Sequence, residues 1–529
     1  MGLSPFELQI FQNVLSSIAE EMGKVLIRAA YSPNIKERRD LSCAIFDRNG
    51  NMIAQAAHIP VHLGSMSFAV RAVIDELELE EGDVCILNDP FRGGTHLPDV
   101  TCVTPLFVGG ALEFFLATRA HHADIGGKTP GSMPLSTSLH EEGIVIPPSK
   151  LYESGRLNEG FLKEIIHSTR DPEEREGDLK AQIASLELGS KRLRNMLDKY
   201  SLQKITEASR ELLDYSERLM REDIKQIPDG VYEFVDYLDD DGAGTGDIPI
   251  KAQVTIDGDS ARVDFAGTSP QVRGNVNAPL SVTTAAVLYV FQCLAPHDMP
   301  LNSGPLRAIE ITAEKNSLIN ASFPHAVAAG NCETSQRIVD VILGALSKAI
   351  PERIPAASAG TMNNVTFGGV NPETGAEYAY YETIGGGIGA IDGRDGPSAK
   401  HSHMTNTLNT PIEALERELP IRIDTYSVKR GSGGAGSYWG GDGIVRAFEF
   451  LGDATATVVT ERRVYAPYGI AGGDAGQKGV NSLIRNGEST PLPPKFTMSV
   501  HKGDIIRIET PGGGGWGGGG SSRSVEKPN

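Results

Sequence analysis

The chain has 529 residues, of which 40% are hydrophobic and 22% are charged, and its formal net charge is −19. This composition is typical of a globular protein with two or three domains. The acidic balance argues against nucleic acid as a partner, because nucleic-acid binding requires clustered lysine and arginine. The longest apolar stretches, such as residues 283–295, are too short to span a bilayer, so we expect no membrane segment.

The first predicted element is a long helix over residues 4–31, in which apolar residues recur at every fourth position. This helix carries acidic residues, so we do not expect it to be a basic signal peptide. Short β-like segments follow from residue 41. Two of them, VTCVTPLFV and LEFFLATRA, are joined by GGA, which is typical of a hairpin turn. Residues 158–226 are charged and strongly helical.

A β-rich stretch follows from about residue 228 to 268, with helices expected at 283–295 and 335–350. The remainder is rich in glycine and β-like. We predict an α+β, multi-domain protein. Its expected parts are an N-terminal mixed α+β domain (1–157), a helical insert (158–227), a β-rich C-terminal domain with helices (228–511) and a flexible Gly-rich tail (512–529).

Histidines and acids cluster at the ends of neighbouring β-like segments, in NDPFRGGTHLPDV (88–100) and HHADIGG (121–127). Polar residues at strand ends project into clefts, and mixed imidazole and carboxylate ligands suit Zn²⁺, Mn²⁺ or Fe²⁺. Along a strand, His121 and His122 would point to opposite faces, so that one binds a metal ion while the other packs or donates to substrate. The alternative is that the histidines cap strands and the acids form turns. The candidates are Asp89, His96, Asp99, His121, His122 and Asp124.

Three further loops contain candidate substrate-binding or catalytic residues. AGNCETSQRI places Asn331 and Glu333 before a helix start, where backbone amides favour anionic groups. The segment would either line a substrate or phosphate pocket or simply cap the helix. YYETIGGGIGA holds Glu382 beside glycines that allow close backbone approach. KHSHMTNTLNTPIE is a polar loop that would form a substrate-facing wall or have a purely structural role. Its candidate substrate-binding residues are His401, His403 and Asn406.

A phosphate-binding loop is not evident in the sequence, since no G-x-x-x-x-G-K-[ST] occurs. The segment DDDGAGTGD (239–247) superficially resembles an actin-type phosphate loop, but three consecutive aspartates would repel phosphate. We expect a tight acidic turn between two strands there. The five cysteines are scattered and form no C-x-x-C pair, which indicates a reducing, cytoplasmic environment.

Five strings together resemble the hydantoinase B family, and the resemblance covers essentially the whole chain. They are NDPFRGGTHLPDV, HHADIGG, EEGIVIPPSKLY, AGNCETSQRIVDVILGAL and HMTNTLNTPIEALE. The family includes the B component of ATP-dependent N-methylhydantoinases, the C-terminal half of 5-oxoprolinases and the large subunit of acetone and acetophenone carboxylases.

The resemblance implies that a partner of the hydantoinase A type, with an actin-like ATPase fold, uses ATP and Mg²⁺ to phosphorylate the substrate carbonyl oxygen. The hydantoinase B component then acts at a divalent-metal site, in a heterotetramer with two copies of each component. Carried over by position, Asp40 is a further ligand or the base, and His122 an outer-shell residue or ligand. The implied metal ligands are His96, Asp99, His121 and Asp124.

These residues lead to a hypothesis of metal-assisted opening of an activated cyclic amide such as hydantoin, 5-oxoproline or a larger lactam. Asp40 or Glu382 would act as general base. Two alternatives stay open. The same ligands would serve an ATP-dependent carboxylase that acts on an enol phosphate, and the chain would otherwise be a non-catalytic scaffold subunit of an ATPase complex.

Overall fold

The structure is a computed structural model that describes residues 3–56, 58–295 and 299–518. It confirms the expected α+β, multi-domain architecture. The α-helices of these ranges are α1 (Pro5–Ala29), α2 (Pro33–Lys36), α3 (Met66–Glu76), α4 (Glu159–His167), α5 (Pro172–Lys199), α6 (Leu202–Ile224), α7 (Leu280–Leu294), α8 (Ser335–Leu346) and α9 (Ile412–Glu418). Within them, no helix combines the length and apolar character needed to cross a membrane.

The strands form four sheets. In chain order they are β1 (Leu41–Asp47), β2 (Met52–Gln55), β3 (Val84–Leu87), β4 (Asp99–Val108), β5 (Ala111–His121), β6 (Ser149–Glu153), β7 (Arg156–Leu157), β8 (Gly230–Asp240), β9 (Gly246–Asp257), β10 (Ser260–Asp264), β11 (Ile309–Thr312), β12 (Asn364–Val370), β13 (Glu377–Glu382), β14 (Ile421–Lys429), β15 (Gly443–Phe450), β16 (Ala454–Val459), β17 (Val480–Arg485), β18 (Glu488–Leu492), β19 (Lys495–Val500) and β20 (Ile505–Glu509).

The first sheet has the order β2-β1-β5-β4-β3-β6-β7 and is covered by helices on both faces. Successive side chains of a strand point to opposite faces. Leu41, Cys43 and Ile45 therefore pack on the side of α1 and α5, whereas Ala44 and Phe46 pack on the side of α3. This double burial explains why the strands read as almost continuous apolar runs.

The hairpin between β4 and β5 turns at Gly109 and Gly110, whose φ angles are +60° and +84°. Positive φ at both central residues is what a tight hairpin turn requires, and glycine adopts it without steric cost. The two strands pair in antiparallel register with one irregularity between Leu106 and Phe107. This bulge changes the register by one residue, so that Asp99 lies directly opposite His121.

The helices predicted as a separate insert at 158–227 share the core of the first sheet. Leu162 of α4, Leu186 of α5 and Leu212 of α6 belong to the same buried cluster as Leu15 of α1. The approach of α5 to α1 is close, because a Cβ atom at Gly189 would lie 2.4 Å from the sulfur of Met22. The predicted boundary at residue 157 therefore does not separate two cores.

Residues 228–511, predicted as one β-rich domain, contain two cores. The first lies between the sheet β11-β10-β9-β8 and helices α7 and α8, which confirms the two helices expected here. The second lies between the sheets β13-β12-β16-β19 and β14-β15-β20-β17-β18. The acidic segment 239–247 joins β8 to β9 in an antiparallel pair, as expected.

The Gly-rich end is packed where the sequence predicted a flexible tail from residue 512. The backbone amide of Gly513 donates to Gly441 O at 2.9 Å, and that of Gly515 donates to Asp474 O at 2.8 Å. A Cβ atom at Gly513 would lie 2.1 Å from Ile388 O, so the glycines permit backbone contacts that side chains would prevent. The flexible-tail prediction is thus wrong for 512–518, and residues 519–529 lie outside the described ranges.

We expect Gly513→Ala to lower the free energy of unfolding by roughly 1–3 kcal/mol, because the new methyl group would overlap the backbone. Urea denaturation measures the effect. Gly518→Ala is the matched control, since its Cβ would meet nothing closer than Gly472 O at 3.8 Å. Equal denaturation midpoints for the two variants would contradict the packed arrangement.

Candidate metal centre

Asp99 and His121 come together because the hairpin register places them opposite each other at the open ends of β4 and β5. Directly opposed residues of an antiparallel pair project from the same face of the sheet. His121 Nδ1 lies 3.1 Å from Asp99 Oδ1, and both side chains are almost completely buried. Local strand pairing therefore supplies two of the three groups at the site.

His96 supplies the third group from the turn that precedes β4. Its Nδ1 donates a hydrogen bond to Ala328 O at 3.0 Å. Because a carbonyl oxygen only accepts, Nδ1 carries the proton, and in the neutral ring Nε2 keeps its lone pair. That Nε2 lies 3.2 Å from Asp99 Oδ1 and 3.2 Å from His121 Nδ1. The three atoms form a nearly equilateral triangle, which we call the His-Asp-His triad.

The second oxygen of Asp99 is held by neighbouring side chains. Thr95 Oγ1 donates to Asp99 Oδ2 at 2.7 Å, and Asn331 Nδ2 donates to it at 3.2 Å. His62 Nε2 lies 3.4 Å from the same oxygen, and His62 Nδ1 lies 2.9 Å from Ser42 Oγ. Asp99 therefore presents Oδ1 alone to the triad.

The charges of the triad favour a cation. Burial raises the pKa of Asp99, but His96 and hydrogen bonds from its neighbours hold that pKa well below the usual value. Burial lowers the pKa of His96, but Asp99 opposes this effect and the net shift is upward. Burial lowers the pKa of His121. A carboxylate with a lowered pKa beside His121, an imidazole whose pKa is also lowered, is a suitable ligand pair for a divalent ion.

The triad fits a divalent metal ion. Ligand atoms about 2.0–2.2 Å from a shared first-row ion lie roughly 3.0–3.4 Å apart, which matches the edges of the triangle. The proton on His96 Nδ1 is directed to a backbone carbonyl, as is usual for a metal-binding histidine. Within the described part of the chain, the buried atoms His121 Nε2 and Asn331 Oδ1 have no hydrogen-bond partner. These two atoms are available for hydrogen bonds to a further group.

Tyr381 and Arg38 flank the triad and were not identified from the sequence. The Tyr381 ring stacks on His121 with centroids 4.5 Å apart and planes inclined by 20°. The guanidinium carbon of Arg38 lies 4.7 Å from the Tyr381 centroid, a cation–π distance. The stack fixes the His121 ring and excludes water from one side of it. The only sequence signals for these residues were the basic run KERRD and the pair YY before Glu382.

Asp40 lies beside the triad but is not one of its members. Its backbone oxygen accepts from the amide of His121 at 3.0 Å. Its carboxylate lies 4.0 Å from Arg38 Nη2, and its charge contributes to raising the pKa of His96. The predicted role of Asp40 as a ligand or base stays a prediction.

Two of the predicted residues are directed away from the triad. His122 follows His121 along the strand and points to the other side, where its Nε2 lies 2.9 Å from Gln182 Oε1. Asp124 Oδ2 accepts from Arg170 Nη1 at 2.8 Å and from the amide of Gly131 at 3.1 Å. Contrary to the expectation, Asp124 does not join the triad, because an arginine competes for its carboxylate.

Glu382 forms a buried ion pair and does not face the triad. Its carboxylate accepts from Arg446 Nη2 at 3.1 Å and Nε at 3.2 Å, and Asn409 Nδ2 donates to it at 2.8 Å. Because it follows Tyr381 in β13, it projects from the opposite face of that strand. This arrangement contradicts the placement of Glu382 as the general base and indicates a structural role.

The predicted substrate-binding residues of the loops also include one that reaches the triad and others that bond elsewhere. Asn331 reaches the triad through Asp99, whereas Glu333 accepts from Asn364 Nδ2 at 2.6 Å and from the amide of Met362. Burial raises the pKa of Glu333 to about 7. His403 Nε2 lies 3.7 Å from Asp340 Oδ1. Asn406 Nδ2 donates to the backbone oxygen of His58.

His401 is near Arg38 and Asn409, and burial lowers its pKa to about 4. His401 therefore lies near the Arg38 guanidinium, which itself contacts the Tyr381 ring. Of the predicted substrate-binding residues, only Asn331 makes a direct hydrogen bond to the triad.

The fold and the triad define a multi-domain α+β protein with a candidate metal centre between its first sheet and its C-terminal half. A family model for hydantoinase B/oxoprolinase matches residues 4–519. The chain belongs to this family, as the sequence motifs predicted.

Three relatives illustrate the family. An uncharacterized protein of Methanocaldococcus jannaschii is 44% identical, with coverage of 96% of this chain and 89% of that protein. 5-oxoprolinase 1 of Arabidopsis thaliana is 40% identical, and this chain spans only 41% of its length. A protein of Pseudomonas sp. (strain NS671), named as the B-type subunit of a D-/L-hydantoinase, is 33% identical, with coverage of 97% and 89%.

Two solved structures share the fold. ATP-dependent caprolactamase from Pseudomonas jessenii superposes with a TM-score of 0.91 at 29% identity, over 98% of this chain and 91% of that one. Nucleotide-free acetone carboxylase superposes with a TM-score of 0.90 at 19% identity, over 97% and 76%. At 19% identity the second likeness concerns the fold alone.

We expect His96→Ala to weaken Mn²⁺ or Zn²⁺ binding strongly, because it removes one corner of the triad. Loss of an outer-shell partner typically costs roughly 10–100-fold in metal affinity, and the loss of a ligand should exceed this. Chelator competition on the purified chain measures the dissociation constant. His122→Asn is the control, since His122 bonds to Gln182 outside the triad. Unchanged affinity in His96→Ala would contradict the assignment.

We expect Glu382→Ala to lower the free energy of unfolding by about 3–5 kcal/mol, because it leaves the Arg446 guanidinium buried without its partner. Metal affinity should remain that of the unchanged chain. Chemical denaturation and metal titration of the same sample test both parts. A loss of metal affinity with unchanged stability would reverse the structural assignment of Glu382.

Proposed function

We propose that this chain is the hydrolytic component of an ATP-dependent cyclic amide hydrolase. Its substrate would be a hydantoin, 5-oxoproline or a larger lactam, activated by a separate hydantoinase A-type ATPase. The observation that carries the proposal is the buried triad, in which His96 Nε2, Asp99 Oδ1 and His121 Nδ1 lie 3.1–3.2 Å apart.

The names of the relatives favour hydrolysis over carboxylation. The 5-oxoprolinase of Arabidopsis thaliana and the hydantoinase component of Pseudomonas resemble this chain at 40% and 33% identity, and caprolactamase resembles it at 29%. The carboxylase likeness is one of fold. The names of these relatives refer to hydantoin, 5-oxoproline and caprolactam, which all contain a cyclic amide bond. We assign this group to the substrate.

ATP use is assigned to a partner protein. The acidic segment between β8 and β9 folds as a turn in which Asp241 Oδ1 accepts from the amides of Ala243 and Thr245. Two of its backbone donors are thus satisfied by its own carboxylate, which would also repel phosphate. The Pseudomonas relative is named as one component of an assembly, and the Arabidopsis relative is much longer than this chain. We infer a hydantoinase A-type partner, in a heterotetramer with two copies of each component.

His96, Asp99 and His121 would hold the ion. A divalent ion held there supplies Lewis acidity at a carbonyl or phosphoryl oxygen. The chain itself contributes orientation: Ala328 O fixes the His96 ring, while Thr95 and Asn331 fix the Asp99 carboxylate.

The surrounding side chains would bind substrate and move the proton. Tyr381 covers one face of His121 and excludes water there. Asp40 is our candidate for the general base, because its backbone oxygen bonds to the amide of His121 and its charge raises the pKa of His96.

The test is reconstitution of the chain with an A-type ATPase and assay of 5-oxoproline, hydantoin and caprolactam. We expect ring opening that requires both proteins and ATP, with loss of at least about 100-fold in Asp99→Asn, because removal of a metal ligand takes away the electrostatic stabilisation. ATP binding by the partner should persist, and His122→Asn should remain active. Strict dependence on bicarbonate would instead indicate carboxylation. Full activity of Asp99→Asn would indicate a scaffold role.

A further inference from the structure

A short irregular segment, residues 326–329, lies against the triad from the C-terminal half of the chain. It pairs with no strand of the described ranges, so its backbone polar groups are satisfied by other partners. Asn277 Nδ2 donates to Ala326 O at 3.0 Å, and the amide of Ala329 donates to Asn275 O at 2.9 Å. The oxygen of Ala328 accepts from His96 Nδ1. The position of this segment therefore determines where the His96 ring is anchored.

Glu142 holds the same segment from the other side. Its Oε1 accepts from the amides of Val327 at 2.9 Å and Ala328 at 3.0 Å, and from Ser136 Oγ at 2.7 Å. The residue is completely buried. A single carboxylate oxygen thus satisfies two consecutive backbone donors next to the carbonyl that His96 uses.

The burial of Glu142 is costly, and within the described ranges no ion pair offsets it. Among the residues that the structure describes, its Oε2 has no hydrogen-bond partner. Burial raises its pKa to about 7. An apolar residue would avoid this cost, but it would leave the two amides unsatisfied. Glu142 lies in the motif EEGIVIPPSKLY, which contributes no member of the triad.

We propose that Glu142 is a positioning residue for the metal centre. By fixing residues 327 and 328, it holds the Ala328 carbonyl that keeps His96 in the tautomer and orientation with Nε2 facing Asp99 and His121. The inference rests on the proposed metal site but concerns a residue outside it. Contact between Glu142 and the ion is not part of the proposal.

The proposed role depends on the acceptor oxygen of Glu142. Two substitutions distinguish the effect of this oxygen from the effect of the negative charge. Glu142→Met keeps the length of the side chain and removes the acceptor. Glu142→Gln keeps an acceptor oxygen and removes the charge. If the role is positioning, glutamine should restore most of what methionine loses. Glu382→Met is the matched control, because Glu382 is also completely buried and hydrogen-bonded but does not face the triad.

The experiment is titration of the full chain with Co²⁺, followed by chelator competition and by the visible absorption of the bound ion. We expect Glu142→Met to weaken binding roughly 10–100-fold and to change the absorption spectrum, since the orientation of one ligand is lost. Glu142→Gln should stay within about 3-fold, because its amide oxygen can still accept. Glu382→Met should keep the affinity and the spectrum even though it is less stable.

Each outcome decides a separate question. Wild-type affinity and an unchanged spectrum in Glu142→Met would overturn the positioning role while leaving the metal site intact. Absence of Co²⁺ binding by the wild-type chain would overturn the proposed site, and the positioning role with it. If Glu142→Met does not fold, Glu142→Asp replaces it. The shorter side chain withdraws the acceptor, and wild-type binding by this variant would equally overturn the inference.

Discussion

The candidate metal centre depends on the register of a single β-hairpin. Antiparallel pairing of β4 and β5 brings Asp99 opposite His121 only because the bulge between Leu106 and Phe107 changes the register by one residue. Without the bulge, Asp99 would face Ala120, and His121 would face Pro98 beyond the end of β4. Since side chains alternate between faces, a one-residue change would remove the imidazole from the carboxylate. The geometry of the site is thus set near the turn, at the far end of both strands.

The rest of the site is supplied by distant segments that hold the hairpin residues in place. Asn331 reaches Asp99 across 232 positions of the chain, and the carbonyl of Ala328 reaches His96 across the same separation. Tyr381 then covers His121. Each of these contacts satisfies a buried polar group or fixes a ring. Precise orientation of the ligands therefore requires the C-terminal half, whereas their proximity requires only the first sheet.

The local part of this arrangement was predictable from the sequence. The hairpin turn, the alternation of His121 and His122 and the convergence of His96 with Asp99 all follow from neighbours a few residues apart. Asp124 was assigned wrongly because Arg170, which takes its carboxylate, lies 46 positions further on. Glu382 was misjudged for the same reason, since Arg446 lies 64 positions away. Spacing in the sequence gives no information about such competing partners.

Other features escaped prediction because they are properties of packing. His62 and Glu142 act on the site through contacts that no local pattern indicates. The Gly-rich end was expected to be flexible from its composition, yet its first residues are packed between backbone segments. Composition predicts flexibility only where glycines lack partners, and here the absence of side chains is what allows the packing.

The Ala328 carbonyl that anchors His96 belongs to a part of the chain that is synthesised late. Domains fold as the chain emerges from the ribosome, with the N-terminal part first. The first sheet, whose strands end at Leu157, is complete long before the segment at 326–329 has been synthesised. The hairpin that pairs Asp99 with His121 thus precedes, in order of synthesis, the carbonyl that anchors His96. The final orientation of His96 at the proposed metal site therefore depends on translation of the C-terminal half.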